Sequence, residues 1–266
     1  MPYFLLLLFF VSSVSYAQGK PKIELGVIAG GQYLPDYRGS KETQTNALVA
    51  PFFIYRGDVF KVDRDGLRGE VFQSKRVELN VSAEASLSGG NEDNERREGM
   101  PVLDSALEFG PSLNVNLSGV DFREGWSLRL PVRGVFTVDG SGFEYIGYVF
   151  NPKFNYVDPD FLGSWRASFN IGASYGSNKY HDYYYRVERI FETAERMSYE
   201  ASSGYSGTYV KAGVSRLKND FWYGVSLRYD NLNGATFEDS PLVETRDYFS
   251  VTVGFGWFLW KSKVNK

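Results

Sequence analysis

The sequence predicts an all-β protein: a transmembrane antiparallel β-barrel of about twelve strands, preceded by a cleaved signal peptide. Three observations support this fold class. Long segments alternate apolar and polar residues with a period of two. Aromatic residues make up 17% of the chain and glycines number 28, yet the mean hydropathy is only −0.30. The longest uninterrupted apolar run lies at the amino terminus, where export signals are found.

Residues 1–17 have the pattern of a secretory signal peptide. Phe4–Val11 is apolar throughout, and Ser15-Tyr16-Ala17 places small residues at the two positions that a signal peptidase reads. The run is too short to cross a bilayer as a helix, which needs about 20 residues. No basic residue precedes it, so a buried strand or a short anchor is the alternative. We expect cleavage after Ala17 and one barrel domain over residues 18–266.

Alternation identifies the strands in order along the chain. Residues 77–87 read VELNVSAEASL, apolar at odd positions and polar at even ones. Such patterns persist for about nine to thirteen residues, the length of a tilted membrane-spanning strand, whereas a secreted β-sandwich would have shorter strands. We place strands at residues 23–32, 46–56, 59–63, 67–72, 77–88, 103–118, 125–138, 144–157, 164–176, 207–217, 221–230 and 246–260.

The connectors alternate between long and short, as in outer-membrane barrels with long external loops and short periplasmic turns. Residues 59–72 fit less well, because their two strands are too short to span the membrane. If they form a local hairpin, ten spanning strands remain. The long connectors are 33–45, 89–102, 177–206 and 231–245; the short ones are 57–58, 73–76, 119–124, 158–163 and 218–220, and the short external exceptions are 64–66 and 139–143.

The last strand contains a pattern that the barrel-assembly machinery recognises. Thr252, Gly254, Trp257 and Leu259 follow the order polar, x, Gly, x, x, apolar, x, apolar. Recognition of this kind needs an apolar edge that can pair as a strand during insertion. We therefore expect two partners, the assembly machinery and the lipid of the bacterial outer membrane. The chain departs from the pattern in its polar tail, residues 261–266.

The longest external connector contains a segment with helix-forming composition. Residues 188–200 read ERIFETAERMSYE, and Ile190, Ala194 and Met197 are spaced to share one face of a helix. A short helix is therefore predicted within this loop.

Composition excludes several kinds of chemistry. The chain has no cysteine and one histidine, which excludes disulfide scaffolds, thiolate zinc sites and multi-histidine metal sites. A net charge of −3 gives no argument for nucleic-acid binding. His181 beside Asp182 is the one enzyme hypothesis, but adjacent residues on a strand point to opposite faces, and no G-x-S-x-G motif is present. We expect no catalytic residue, no metal and no cofactor.

Charged residues of both signs fall on the predicted inward faces. They can fill the lumen as ion pairs, which we favour, or line a narrow pore. These residues are Glu78, Glu84, Glu108, Arg129, Arg133, Lys153, Arg166, Lys211 and Arg228.

Three segments resemble the MipA/OmpV family of outer-membrane proteins: residues 34–40 (LPDYRGS), 51–55 (PFFIY) and 222–243, which ends in DSPLV. The resemblance implies a non-enzymatic outer-membrane barrel. It also implies a scaffold that links a lytic transglycosylase and a penicillin-binding protein in murein synthesis. A small-solute channel or an adhesin is the alternative. The family-motif residues are Pro35, Tyr37, Gly39, Ser40, Asp239, Ser240 and Pro241.

The motif residues are of turn-forming types that flank strand ends. They fall in two loops on the same predicted rim, beside the seam where the first and last strands pair. We expect them to brace this seam; direct contact with a ligand or a partner is the alternative.

Overall fold

The computed structural model describes residues 21–56, 60–63, 66–86, 93–118, 122–139 and 142–263. The predicted signal peptide, residues 1–17, lies outside these ranges. The described chain consists mainly of antiparallel strands with one α-helix, α1 (Asn178–Tyr185). The strands are β1 (Ile23–Pro35), β2 (Thr43–Arg56), β3 (Phe60–Asp63), β4 (Gly66–Gln73), β5 (Val77–Ser86), β6 (Ser105–Asn116), β7 (Gly125–Asp139), β8 (Gly142–Phe150), β9 (Lys153–Phe161), β10 (Trp165–Gly176), β11 (Gly204–Lys218), β12 (Phe221–Asn231) and β13 (Asp247–Lys261).

The thirteen strand segments form a closed ring of twelve strands. One half of β7 pairs with β8 and the other half pairs with β9, and β10 pairs with both as well. The break between β8 and β9 falls at Asn151 and Pro152, where proline has no N–H to donate. These two segments are therefore one barrel strand, as predicted. The ring closes because β1 pairs with both β2 and β13.

Strands β3 and β4 form a short hairpin at the end of the barrel where the turns are short. Strand β3 has four residues and pairs with β2 only at Tyr55–Val62 and Arg56–Lys61. Strand β4 pairs with β5 from Gln73–Glu78 to Arg68–Ser82. The ring thus has twelve strands, of which this pair is too short to span the membrane, as the sequence suggested.

The outward face of the barrel is apolar. On β12 and β13, Val225, Leu227, Val253 and Phe255 are exposed, while Arg228 and Asp230 face the lumen. Aromatic side chains pair near strand ends, for example Trp126 with Tyr156 and Trp165 with Tyr223. In the described residues, no helix has the length and apolar character needed to cross a membrane.

The lumen is less polar than the alternation predicted. An apolar cluster fills it near the seam and contains Ile28, Ala50, Ile54, Trp222 and Phe258. These residues sit at inward positions, where the pattern predicted polar side chains. Glycine makes room for the cluster, since a Cβ at Gly26 would lie 2.6 Å from the ring of Phe52. Apolar packing therefore closes part of the lumen near the turn end.

The helix lies elsewhere in the long loop than predicted, so the prediction of a helix at residues 188–200 is wrong. α1 begins at an N-cap, Ser177, whose side chain accepts a hydrogen bond from the N–H of Tyr180. Its aromatic face packs against the inner wall of β6, β7 and β8. Residues 188–200 are irregular apart from a 3₁₀ turn, Arg189–Phe191. Arg196 in this segment binds backbone carbonyls of a neighbouring loop, those of Arg96 and Glu98.

Candidate functional site

Four long loops fold together over the external end of the barrel. We call this unit the cap, and it comprises residues 36–42, 93–104, 177–203 and 232–246. Loops rarely have a core of their own, so this packing indicates a fixed structure. The buried cap core consists of Tyr37, Leu103, Tyr185, Val187, Ala201, Leu232, Ala235, Phe237 and Leu242.

The first and last loops meet through the family-motif residues. The hydroxyl of Tyr37 donates to the carbonyl oxygen of Leu242 at 2.8 Å. Gly39 adopts a φ of +99°, which favours glycine, and its carbonyl oxygen accepts from the N–H groups of Glu244 and Thr245. These bonds tie together the two loops that flank the β1–β13 seam.

The other motif residues extend the same network. Ser40 is buried, and its Oγ accepts hydrogen bonds from the N–H of Glu42 and from Nδ2 of Asn94. Ser240 is also buried, and its Oγ donates to the carbonyl oxygen of Tyr185 at 2.8 Å. Pro35 ends β1 opposite Thr43, Pro241 is partly buried, and Asp239 is exposed. Most of the motif therefore holds the cap together, and Asp239 is the member that faces solvent.

Arg38, which lies between two motif residues, connects the cap to the lumen. Its Nη2 donates to the carbonyl oxygen of Ser206 at 2.8 Å, and its Nε donates to the hydroxyl of Tyr248 at 3.1 Å. The same Nη2 lies 3.5 Å from Oδ1 of Asp230. Arg38 belongs to a segment that the sequence singled out, but these contacts were not predicted. They join Arg38 to β11, β12 and β13, which are distant from it along the chain.

Tyr185 is central to the cap. Its ring stacks on that of Phe237 with centroids 3.7 Å apart, and its hydroxyl donates to the carbonyl oxygen of Arg38 at 2.9 Å. Burial raises the pKa of Tyr185 well above its usual value and raises the pKa of Tyr180 and of Tyr183 to about 12. These phenols stay neutral at physiological pH and act as hydrogen-bonding and packing groups.

His181 is held within the structure and is not exposed. Its Nδ1 lies 2.6 Å from the carbonyl oxygen of Ser202, which can only accept, so Nδ1 carries the proton. Its Nε2 then accepts from the hydroxyl of Ser206 at 2.6 Å. Asp182, which follows His181 on helix α1, instead accepts from the N–H of Ala201 in the loop that leads to β11. The sequence argument against a His181–Asp182 pair assumed a strand. The segment is a helix, and in this helix too the Asp182 carboxylate makes no hydrogen bond to His181.

Inward charges on the opposite wall form one ion-paired group. Glu84 and Glu108 lie directly opposite each other on β5 and β6. Nη1 of Arg133 donates to Oε2 of Glu84 at 2.5 Å and to Oε2 of Glu108 at 2.9 Å. Three of the predicted inward charges thus meet, which agrees with the ion-paired filling that the sequence favoured.

The remaining predicted inward charges are arranged differently. Glu78 accepts hydrogen bonds from Asn80 and Asn114. Arg129 and Arg166 donate to backbone carbonyls, those of Phe122 and Arg123. Arg228 makes a bidentate contact with Asp230, which the sequence analysis did not single out. Of these residues, Arg228 is thus neutralised by a neighbouring carboxylate.

A cavity of about 280 Å³ lies in the lumen directly beneath the cap. Its walls carry charged residues from several strands, and helix α1 supplies tyrosines to its lining. Asp36, at its outer end, accepts a hydrogen bond from Asn94. The charged and aromatic lining residues are Asp36, Arg38, Glu84, Glu108, Lys211, Arg228, Asp230, Tyr180, Tyr184, Tyr185 and Tyr248.

The predicted assembly signal lies on β13, which pairs along both edges with β1 and β12. Thr252 lines the cavity, whereas Trp257 and Leu259 are exposed on the outer face. Gly254 pairs with Gly30 and Gly224 across the two neighbouring strands. The four residues are therefore not part of the cap network. Thr252 and Gly254 lie on the lumen side of β13, whereas Trp257 and Leu259 lie on its lipid side.

The described ranges contain no cluster of three or more His, Cys, Asp or Glu residues that could hold a metal ion. What the site offers is a packed loop network over the external end and a charged internal cavity.

Comparison with known proteins gives the family. A search of curated proteins finds no match. Among solved structures, a chain described as "Bacterial polysaccharide outer membrane secretin" is similar at a TM-score of 0.41 and 9% identity, covering 89% of this chain and 99% of that chain. The family described as "MltA-interacting protein MipA" matches residues 27–259, which include every strand from within β1 to within β13. The chain therefore belongs to the MipA family and is a β-barrel protein of the bacterial outer membrane.

Proposed function

We propose that this barrel is a docking platform that holds a lytic transglycosylase at the outer membrane and links it to a penicillin-binding protein during murein synthesis. The observation that carries the proposal is the family match over residues 27–259, since the family description names an interaction with MltA and not a reaction. A platform needs a stable, membrane-anchored body and an accessible periplasmic surface. It needs neither a cofactor nor a pore.

The packed external loops support a platform over a channel. The cap core is buried, and Arg97 and Arg196 bind backbone carbonyls from neighbouring loop segments. Loops packed over the barrel end in this way narrow the aqueous path that a porin requires.

The periplasmic rim is the surface on which we place the partner. Long loops of such barrels face outward, so the short turns lie in the periplasm. Among the described side chains at this end, basic residues outnumber acidic ones, which favours an acidic partner surface. The basic residues are Lys22, Arg56, Lys75, Arg76, Arg123, Arg216, Lys218, Lys261 and Lys263; the acidic ones are Glu24, Glu124, Asp158, Asp160 and Asp220.

A binding measurement tests the platform. The full-length mature barrel in nanodiscs is titrated with a purified MltA-type lytic transglycosylase at two salt concentrations. Lys75 and Arg76 are exposed on the β4–β5 turn, so Lys75→Glu with Arg76→Glu is expected to weaken binding. Arg186→Glu with Arg189→Glu makes the same charge change on the exposed cap and is expected to have no effect. Absence of binding by the unmodified barrel would rule the platform out.

We also propose that residues 1–17 are removed on export and that the last-strand pattern at Thr252, Gly254, Trp257 and Leu259 directs assembly. The intact mass of protein purified from outer membranes tests the first point: it should correspond to a chain that begins at Gln18. For the second, Trp257→Ser should reduce the folded, heat-modifiable form, while Trp260→Ser, also an exposed tryptophan on β13, should not. Equal loss in both variants would contradict the assigned pattern.

A further inference from the structure

Two cations lie side by side on the wall of the lumen cavity. Lys211 on β11 is directly opposite Arg228 on β12, and both line the cavity. Like charges directly opposite each other on a sheet destabilise it. Asp230 compensates Arg228, whereas Lys211 has no such partner, and local conflicts of this kind occur at functional sites.

The carboxylates near the pair already have cationic partners, and for Asp230 that partner is Arg228 itself. Asp230 receives two hydrogen bonds from Arg228, at 2.6 and 2.8 Å, and Arg133 binds both Glu84 and Glu108. Within the described part of the chain, Lys211 has no hydrogen bond and no ion pair, and the same holds for Lys153, which also faces Glu84. The cavity lining carries three cations (Arg38, Lys211 and Arg228) and four carboxylates (Asp36, Glu84, Glu108 and Asp230). Arg133 binds two of these carboxylates, Asn94 binds Asp36, and Asp230 is shared by Arg228 and Arg38, so Lys211 is the lining cation that lacks a bound partner among the described residues.

Arg228 is held in a fixed orientation. Asp230 binds its Nε and Nη2, and its guanidinium carbon lies 4.1 Å from the ring centroid of Tyr209. A guanidinium has five N–H donors, so Asp230 leaves donors available for another acceptor. An arginine fixed in this way loses little conformational entropy when it binds a ligand.

We propose that this cavity is a binding site for a small hydroxylated anion, a sugar acid or a sugar phosphate, with Lys211 and Arg228 as its anion-binding pair. The volume of about 280 Å³ lies just below the roughly 300–1,000 Å³ of pockets for drug-sized ligands, so one small solute fits. Hydroxyl groups on the wall suit the hydroxyls of such a solute; they belong to Ser174, Ser206, Ser226, Ser250, Thr252, Tyr180 and Tyr248. The site does not depend on the platform function.

Calorimetric titration of the mature barrel in detergent micelles tests the proposal. The probes are glucuronate and glucose 6-phosphate as carboxylate and phosphate forms of the anion, with glucose as the neutral control. Both anions should bind, more weakly at high salt, and glucose should not. Lys211→Gln removes one charge-assisted hydrogen bond and should weaken binding about tenfold or more. Lys218→Gln, at the exposed end of the same strand, should leave the affinity unchanged.

Two results would overturn the proposal: no binding of either anion to the unmodified barrel, or an equal loss in the Lys211 and Lys218 variants. Heat-modifiable gel mobility shows whether each variant is folded. If Lys211→Gln does not fold, Lys211→Arg provides the test, because it keeps the charge and should retain binding. Loss of binding in a folded Lys211→Arg variant would count against binding through the charge of Lys211.

Discussion

The hydroxyl of Tyr37 donates a 2.8 Å hydrogen bond to the carbonyl oxygen of Leu242, 205 positions away along the chain. The bond joins the loop after the first strand to the loop before the last one. Because β1 and β13 close the barrel, the same bond braces the seam from above. The cap and the closure of the barrel are therefore one structural unit.

Removing this hydroxyl tests that bracing. Tyr37→Phe keeps the ring and leaves a buried carbonyl oxygen without its partner, so we expect a loss of about 1–2 kcal/mol in the free energy of unfolding. Tyr33→Phe is the matched control, because its hydroxyl binds Thr43 on the exposed outer face. Urea unfolding in lipid vesicles measures both variants, and equal losses would contradict a special role for Tyr37.

The Tyr185–Phe237 stack should carry much of the stability of the cap. Phe237 is fully buried, and truncation of a buried phenylalanine costs about 3–5 kcal/mol. We expect Phe237→Ala to make the external loops sensitive to added protease, whereas Ile190→Ala, at a cap residue that is 79% exposed, should not. Resistant loops in the Phe237 variant would mean that the cap core is not what orders them.

The cap should weaken as the pH falls. Burial, with a smaller contribution from Arg38, lowers the pKa of His181 below 6.5, so the folded protein resists protonation. The unfolded chain takes up this proton once the pH drops below about 6.5, so stability is complete above that pH and decreases below it. His181 is the only histidine, and His181→Gln should remove this slope. Unfolding free energies measured between about pH 7.5 and 5 provide the comparison; identical slopes in both proteins would refute the assignment.

Arg133 should be the most sensitive of the lumen charges. Its side chain is 4% exposed and makes ion pairs with two glutamates that face each other. Removing one partner of a fully buried ion pair costs about 3–5 kcal/mol; because the Glu84 side chain is 42% exposed, we expect a loss of about 3 kcal/mol or less for Arg133→Met. Arg186→Met removes an arginine from an exposed pair and should cost at most about 1 kcal/mol.

Rescue distinguishes charge from packing. Adding Glu84→Gln and Glu108→Gln to Arg133→Met should recover much of the stability, because no uncompensated carboxylate then remains. Failure of these substitutions to recover any stability in urea unfolding would show that Arg133 acts through its volume.

The sequence predicted the barrel because strand pairing imposes a period of two on every membrane-spanning segment. It could not predict the cap, whose contacts join residues such as Arg38 and Ser206 that lie 168 positions apart. Contacts between residues far apart in sequence also explain why the helix was predicted at the wrong place in the loop. Residues 188–200 have the better helix formers, but residues 178–185 have the N-cap Ser177 and a wall to pack against. That N-cap was the local signal that could have located the helix.

The apolar cluster in the lumen was also missed, although its residues were visible. Trp222 and Phe258 occupy inward positions of β12 and β13, where the alternation was interpreted as polar. A barrel of this size can fill part of its interior with side chains, as a soluble core does. Large apolar residues on the polar parity were the available signal for that filling.

Single-channel recording in planar bilayers tests the central claim most directly, namely that the cap closes the external end of the barrel. The Phe237→Ala variant, in which the cap is loosened, serves as the comparison. We predict no conductance steps for the unmodified mature protein and intermittent steps for this variant. Regular, long-lived steps from the unmodified protein would contradict a closed barrel and favour a small-solute channel.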